Sequence, residues 1–317
     1  MTQKHKKDVR TLFCFIHRLD MGPQARQLAS NSDLGWLIFV RLGLSRLVLA
    51  VAMGCLVGGG CHSSESVLET NHQSAQPLAS GQGHVRVAAA ADLKFAFEEL
   101  IAAFAQQHPE IKVQVTYGSS GNFYAQLLQQ APFDLYFSAD VGYAQKLVEA
   151  GRADPSTLSV YAVGQIVIWV PEDSPIDVEQ LGAQALLDSS VQKIAIANPQ
   201  HAPYGRAAES ALRSLGVYSA VESRLVFGEN IAQAAQFVES GAADIGVLAL
   251  SLALAPAMAD KGRYWQVPPT AYPQMEQGCV LIQGAQDAVA AQRFQAYVIG
   301  QDGQRVLSRF GFQPPGA

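Results

Sequence analysis

The chain of 317 residues is 49% apolar and only 15% charged, which excludes a disordered chain and suffices for two domains with buried cores. Its formal net charge of -5 is uneven: residues 1–60 hold eight of the 22 Lys and Arg and three of the 27 Asp and Glu, leaving 14 basic and 24 acidic residues beyond them, a net of -10. Such a body repels nucleic acid and anionic membranes, so any anion it binds is held by local dipoles against the global field.

Residues 1–60 read as an N-terminal extension and signal rather than a fold. Arg41 and Arg46 precede "LVLAVAMGCLVGGGC", an apolar run of signal-peptide length that ends in small residues and Cys61. The run is short for a membrane span. Small residues before a cysteine, then the polar "HSSES", resemble a bacterial lipoprotein signal and make Cys61 the candidate lipidation site. The leucine usual three positions before that cysteine is missing, Cys55 is a weaker candidate, and an ordinary cleaved signal is the alternative. Residues 61–83, rich in Ser, Gln and Gly, read as a flexible tether. Of the four cysteines only Cys279 lies in the body, in the apolar "CVLI", and reads as a small buried hydrophobe. The seven histidines show no metal-ligand spacing.

From His84 onward strands and helices alternate. "HVRVAAAA" is a strand, and "LKFAFEELIAAFAQQ" has apolar residues at helical spacing, stopped by Pro109. "IKVQVTY" (111–117) alternates as a strand, "FYAQLLQQ" (123–130) is a short helix and "FDLYFSA" the next strand. "DVGYAQKLVEAG" is a helix with an Asp140 cap and a Gly151 stop. This alternation predicts parallel sheets with right-handed crossovers. The run "SVYAVGQIVIWVP" (159–171) is longer than one ordinary strand. A second series follows: strand "QKIAIA", helix "GRAAESALRSLG", strand "SRLVF", helix "IAQAAQFVESG" and strand "ADIGVLAL". A second β-rich run, "YWQVPPTAYPQMEQGCVLI", leads to closing helices from about Asp287 to Phe310. Two long extended segments around an inner αβ unit predict two lobes joined by two crossing strands. Lobe I comprises 84–163 and 268–317, and lobe II comprises 164–267.

The informative places are the starts of helices, where free N–H groups and the helix dipole attract anions without a formal cation. Four loops qualify: "AAAADLK" (88–94), "YGSSGN" (117–122), "NPQHAPYGR" (198–206) and "GENIAQ" (228–233). Two fall in each lobe, so a cleft between lobes lets all four converge beyond the carboxyl ends of the strands. Taken singly each loop also has a bland reading: serine caps in the second, a packing aromatic at Tyr204, an N-cap at Asn230, a solvated charge at Arg206.

Five stretches, "VAAAADLKFAFEEL", "YGSSGNFYAQL", "FDLYFSAD", "NPQHAPYGRAAESAL" and "GENIAQAAQFVESGAADIG", resemble in order and spacing the periplasmic molybdate-binding proteins of ABC importers. The resemblance covers roughly His84 to the C-terminus. It implies an α/β, two-lobed type II periplasmic-binding-protein fold with two crossover strands and an interlobe cleft that holds molybdate or tungstate. It also implies a monomer that works with a permease and an ATPase in the periplasm, with no cofactor beyond the ligand. By position, Ser120 matches the family's hydroxyl ligand, with Ser119 beside it. Tyr204 falls at the third-loop position, and Ile231 at a backbone N–H donor. Ala249 stands where some members carry a further tyrosine.

Asp92 departs from the serine, threonine or asparagine that the family often has, since a carboxylate repels a dianion. In one reading it turns away and caps the helix through Lys94 or Phe95 N–H, leaving Ala91 and Asp92 backbone groups for the ligand. In the other it faces the site and accepts a hydrogen bond from a protonated oxyanion such as hydrogen phosphate, which would make this a binding protein for another oxyanion. An enzyme is the rival class. "YGSSGN" lacks the Walker lysine, no GxGxxG opens the first helix and no GxSxG surrounds the serines. A nucleophilic Ser119 or Ser120 would need a base, for which His201 stands in a candidate loop with Asp92 as a third member.

Overall fold

The structure is a computed structural model that describes residues 82–316. Cys61, the signal and nearly all of the tether lie outside the described residues. Lobe I begins with β1 (Gly83–Ala90), α1 (Lys94–Gln107), β2 (Ile111–Gly118), α2 (Ser120–Leu128), β3 (Leu135–Ser138), α3 (Val141–Glu149) and β4 (Ser159–Gly164). The chain then crosses at Gln165 into β5 (Ile166–Pro171), α4 (Val178–Leu181), β6 (Ile194–Ala197), α5 (Pro203–Ser214), α6 (Tyr218–Val221), β7 (Leu225–Gly228), α7 (Ile231–Glu239), β8 (Ile245–Ala249), α8 (Leu250–Ala253) and β9 (Gly262–Gln266). It returns through β10 (Met275–Leu281) and finishes with α9 (Ala288–Ile299) and α10 (Gln301–Arg309).

Each lobe is built on a five-stranded sheet, in the orders β2-β1-β3-β10-β4 and β7-β6-β8-β5-β9. The expectation of parallel sheets holds for β1, β2 and β3 and for β6, β7 and β8, which are joined by helical crossovers. It fails at the crossing segments, because β10 runs antiparallel to β3 and β4, and β5 antiparallel to β8 and β9. A strand that enters a sheet directly from the other lobe has no helix to turn it round, so its direction is free of the parallel rule. The run 159–171 is therefore two strands with a break at Gln165, one for each sheet. Prolines 268, 269 and 273 split the second run in the same way.

The alternation of β1 feeds both faces of its sheet. Val85, Val87 and Ala89 pack with Phe97, Leu100 and Phe104 of α1 and Phe294 and Val298 of α9. Ala88, on the opposite face, packs with Phe123, Leu127, Leu147 and Val280. Edge-to-face contacts of Phe97 with Phe137 (5.0 Å) and of Phe104 with Phe294 (5.2 Å) fix α1 and α9 over the sheet. The closing helices α9 and α10 thus pack on the sheet that holds β1. A pair of half-buried Arg86 with buried Asp134 (2.9 Å) ties β1 to the start of β3. Burial raises the Asp134 carboxyl, but the Arg86 guanidinium and the N–H groups of Arg86 and Gln286 more than reverse this and hold it below its ordinary range. Lobe II centres on Trp169, Ile194, Ile196, Leu212 and Val238.

Candidate functional site

The helices that face the other lobe start where their caps dictate. Helix α2 begins at Ser120, three residues earlier than its apolar spacing indicates, because Ser119 caps it by accepting the Asn122 N–H (3.3 Å). Helix α5 begins at Pro203, which lacks the N–H that a first helical residue would leave unbonded. Helix α7 follows Asn230, whose carboxamide oxygen accepts from Ala232 N–H and Gln233 N–H (both 3.0 Å). Ahead of α1 lies a short 3-10 turn, Ala91–Leu93.

These four starts converge. Ala90, Ala91, Asp92, Gly118, Ser119, Ser120, Ala139, Ala202, Pro203, Tyr204, Asn230 and Ile231 line one recess between the lobes. All six residues singled out as ligand candidates (Ala91, Asp92, Ser119, Ser120, Tyr204 and Ile231) are among them, and each is at least 97% buried. Ala249 is buried at the end of β8 and is not part of this lining. The recess is about 10 Å³, on the scale of one water-sized sphere, so even a tetrahedral oxyanion has to part its walls slightly.

Hydrogen-bond bookkeeping identifies what the recess offers. Ser120 Oγ accepts from Ala139 N–H (3.0 Å), which leaves its own hydrogen to donate. Tyr136 O–H donates to the Ser120 carbonyl (2.7 Å) and seats the start of α2 on β3. In α5 the bonds of Gly205 and Arg206 N–H to Ala202 O pass over Tyr204 N–H. In α7 the Asn230 cap passes over Ile231 N–H. Neutral donors thus arrive from both lobes. The nearest cations stand aside, since Lys94 is exposed and Arg206 is engaged elsewhere.

Of the two expectations for Asp92 the capping one is corrected, while the residue does line the recess as the other requires. Its side chain caps neither Lys94 nor Phe95. Instead Oδ2 accepts from Tyr204 O–H in lobe II (2.9 Å) and from Gln277 Nε2 of β10 (2.7 Å), while Oδ1 has no hydrogen-bond partner. Gln277 is oriented by Tyr161, whose O–H donates to its Oε1 (2.6 Å), and Gln277 Nε2 also reaches Tyr204 Oη (3.0 Å). Burial pushes the Asp92 carboxyl up to about 6, against opposing help from Gln277, Tyr204 and the adjacent Asp92 and Leu93 N–H groups. Those two N–H groups lie near the carboxylate without reaching bonding geometry with Oδ1. Tyr204 is raised well above its ordinary value, first by burial and then by the charge of Asp92. The Tyr204 hydroxyl proton is therefore committed to Asp92, which leaves its N–H as the unbonded donor of this residue.

Further contacts across the cleft escaped the sequence reading. Ser251 Oγ donates to the Asp92 carbonyl (2.8 Å), Gly121 N–H to the His201 carbonyl (2.9 Å), and Asn122 Nδ2 to Glu229 Oε1 (2.9 Å). Arg206, read as a solvated charge, pairs with Asp140 across the lobes (2.7 Å) and reaches Tyr143 Oη (3.2 Å). Ser119 Oγ lies 2.9 Å from His201 Nδ1. That pair has the spacing of a nucleophile and its base, but Asp92, the acid that would complete a triad, is bonded to Tyr204 and Gln277 instead. Gln277 had a faint signal: it is the polar residue of β10 on the inward side, two positions after Met275, where Glu276 points out. The surface pairs had none. Among the described residues there is no cluster of His, Cys, Asp and Glu able to hold a metal ion, and no helix long and apolar enough to cross a membrane.

Comparison with known proteins agrees with the five-motif resemblance. Over 236 residues the chain is 35% identical to the molybdate-binding protein ModA of Rhodobacter capsulatus, covering 74% of this chain and 90% of that protein. It is 32% identical to the ModA of Azotobacter vinelandii, over 85% of this chain and 97% of that one. The solved periplasmic molybdate-binding protein of Azotobacter vinelandii superposes with a TM-score of 0.68 at 30% identity, over 73% of this chain and 99% of that chain. Residues 85–313 match the family described as bacterial extracellular solute-binding protein. With two α/β lobes, two crossing segments and a recess between them, the chain belongs to that family.

Proposed function

We propose that this protein captures molybdate, or tungstate, between its lobes and delivers it to an ABC importer. The observation that carries this reading is the meeting of Ser120 Oγ–H with the N–H groups of Tyr204 and Ile231 in one buried recess without a free cation. Buried hydrogen bonds to a charged acceptor are the strong ones, and preformed donors hold a dianion without ordering a mobile side chain. The Ala91–Asp92 turn closes the wall opposite, and Ser119 supports it as a cap and a link to His201. Sulfate has the same shape and charge, so discrimination falls to the size to which the recess opens.

The protein acts by binding and not by catalysis: Ser119 serves as a helix cap, and no carboxylate orients His201. It works as a monomer outside the cytoplasmic membrane, tethered through Cys61, with a permease and an ATPase as partners and no cofactor beyond the ligand. Calorimetric titration with molybdate, tungstate, sulfate and phosphate tests the reading. Micromolar or tighter molybdate binding with no sulfate response is expected, and Ser120→Ala should weaken it roughly tenfold or more, the loss of one hydrogen bond to a charged group. Phosphate binding with no molybdate response would reassign the protein to another oxyanion.

A further inference from the structure

The hydrogen bonds around Asp92 determine where a proton on it would sit. Oδ2 accepts two, from Tyr204 Oη and Gln277 Nε2, and Tyr161 holds Gln277 so that its NH₂ faces the carboxylate. Oδ1 is buried in a residue that lines the recess and has no partner in the protein. A neutral carboxylic acid has one O–H to give, and with Oδ2 occupied by donors that hydrogen belongs on Oδ1. A dianion beside an ionised carboxylate in a dry recess is strongly repelled, whereas beside a neutral acid it gains a donor.

We propose that Asp92 binds the oxyanion as a neutral acid, its Oδ1–H donating to a ligand oxygen, so that capture of the dianion takes up one proton. The proposal rests on the reading of the recess as an oxyanion site. It changes the apparent misfit at position 92 into a ligand and makes affinity a function of pH. Without ligand the Asp92 carboxyl stands at about 6. Below that pH the acid already dominates and affinity is flat. Above it each capture must import a proton, so affinity falls as pH rises, by up to roughly tenfold per unit, until the liganded acid itself ionises. The other groups around Asp92 stay uncharged over this range: Tyr204 and Tyr161 are raised well above their ordinary value and Cys279 to about 12. Of the neighbours that carry charge, Lys94 is exposed, Arg206 pairs with Asp140, and Glu229 bonds to Asn122 and Asn230. His201, on the facing lobe, is bonded to Ser119 and serves as the control residue.

Molybdate titrations of the full chain from pH 5.5 to 8.5, in buffers of different ionisation enthalpy, test this directly. The expected result is uptake of close to one proton per molybdate at pH 8 and a falling affinity above pH 6. In Asp92→Asn the carboxamide oxygen accepts from Tyr204 and Gln277 and its NH₂ replaces the O–H. That variant should show no uptake, a flat profile, and at pH 8.5 at least tenfold tighter binding than the unmodified protein. His201→Gln should keep the slope. Molybdate binding with no proton uptake would overturn the proposal and leave the molybdate reading standing, and so would a slope that vanishes with His201→Gln and survives Asp92→Asn. No molybdate binding at any pH would overturn both.

Discussion

Asp92 is a stability element as well as a site residue, and the two roles share one sign. Its carboxyl is raised from an ordinary value near 3.8 to about 6 by burial. The folded state therefore holds the proton more tightly than the unfolded chain does. The resulting stability is fully present below about pH 4 and is lost as pH rises through 6. Asp92→Asn should match the unmodified protein at pH 4 and exceed it by about 3 kcal/mol at pH 7, visible as a Tm gap of several degrees in melts across that interval. A gap that widens toward low pH would contradict the assignment. Asp134 behaves oppositely, since its carboxyl is held low and its contribution fades only in acid. At this scale the sequence was legible wherever a helix start revealed itself through a cap or a proline: all six candidate residues came together. The readings that failed, Asp92 as a helix cap and Arg206 as a solvated charge, concern residues with partners on the other lobe. Asp92 and Tyr204 are 112 positions apart, a distance at which local pattern carries no signal.

Among the elements, α2 depends most on the closeness of the lobes. A Cβ on Gly121 would lie 2.6 Å from the His201 carbonyl oxygen, and His201 belongs to the facing lobe. The helix itself would accept alanine and gain slightly from it. Gly121→Ala should therefore leave the melting temperature within a few degrees while weakening oxyanion binding at least tenfold, because overpacking of about 1–3 kcal/mol against the His201 backbone falls on the approached state, whereas Tyr143 Oη, 2.9 Å away in the same lobe, ends a side chain that can turn aside. Equal losses in both readouts would show that the glycine serves the helix rather than the cleft. Gly164 has a similar place, since a Cβ there would meet Tyr204 Oη at 2.6 Å and Gln277 Nε2 at 2.7 Å. The order of strands and helices was readable because apolar spacing is a local property. The break at Gln165 and the antiparallel entries of β5 and β10 were not, because strand direction is settled by a neighbour far along the chain.

For the whole molecule, charge and recess pull in different directions. The body beyond residue 60 carries a net of -10, while the recess serves an anion. The long-range field then slows a dianion's approach, and salt screens that field while leaving the buried donors untouched. The association rate for molybdate should rise several-fold between about 10 and 150 mM ionic strength, measured by stopped flow. A rate that falls with salt would mean that an electropositive entrance outweighs the body.

The placement of β10 has a consequence for the order in which such a chain can mature. It is the last strand of the chain, yet it lies in the interior of the lobe I sheet, between β3 and β4, and it brings Gln277 to the recess. A chain that has delivered everything up to residue 270 still has a split sheet, an unpaired β4 and no Gln277 amide bonded to Asp92 and Tyr204. The recess is thus completed by the final stretch to arrive, so a partly delivered chain has no finished site between its lobes.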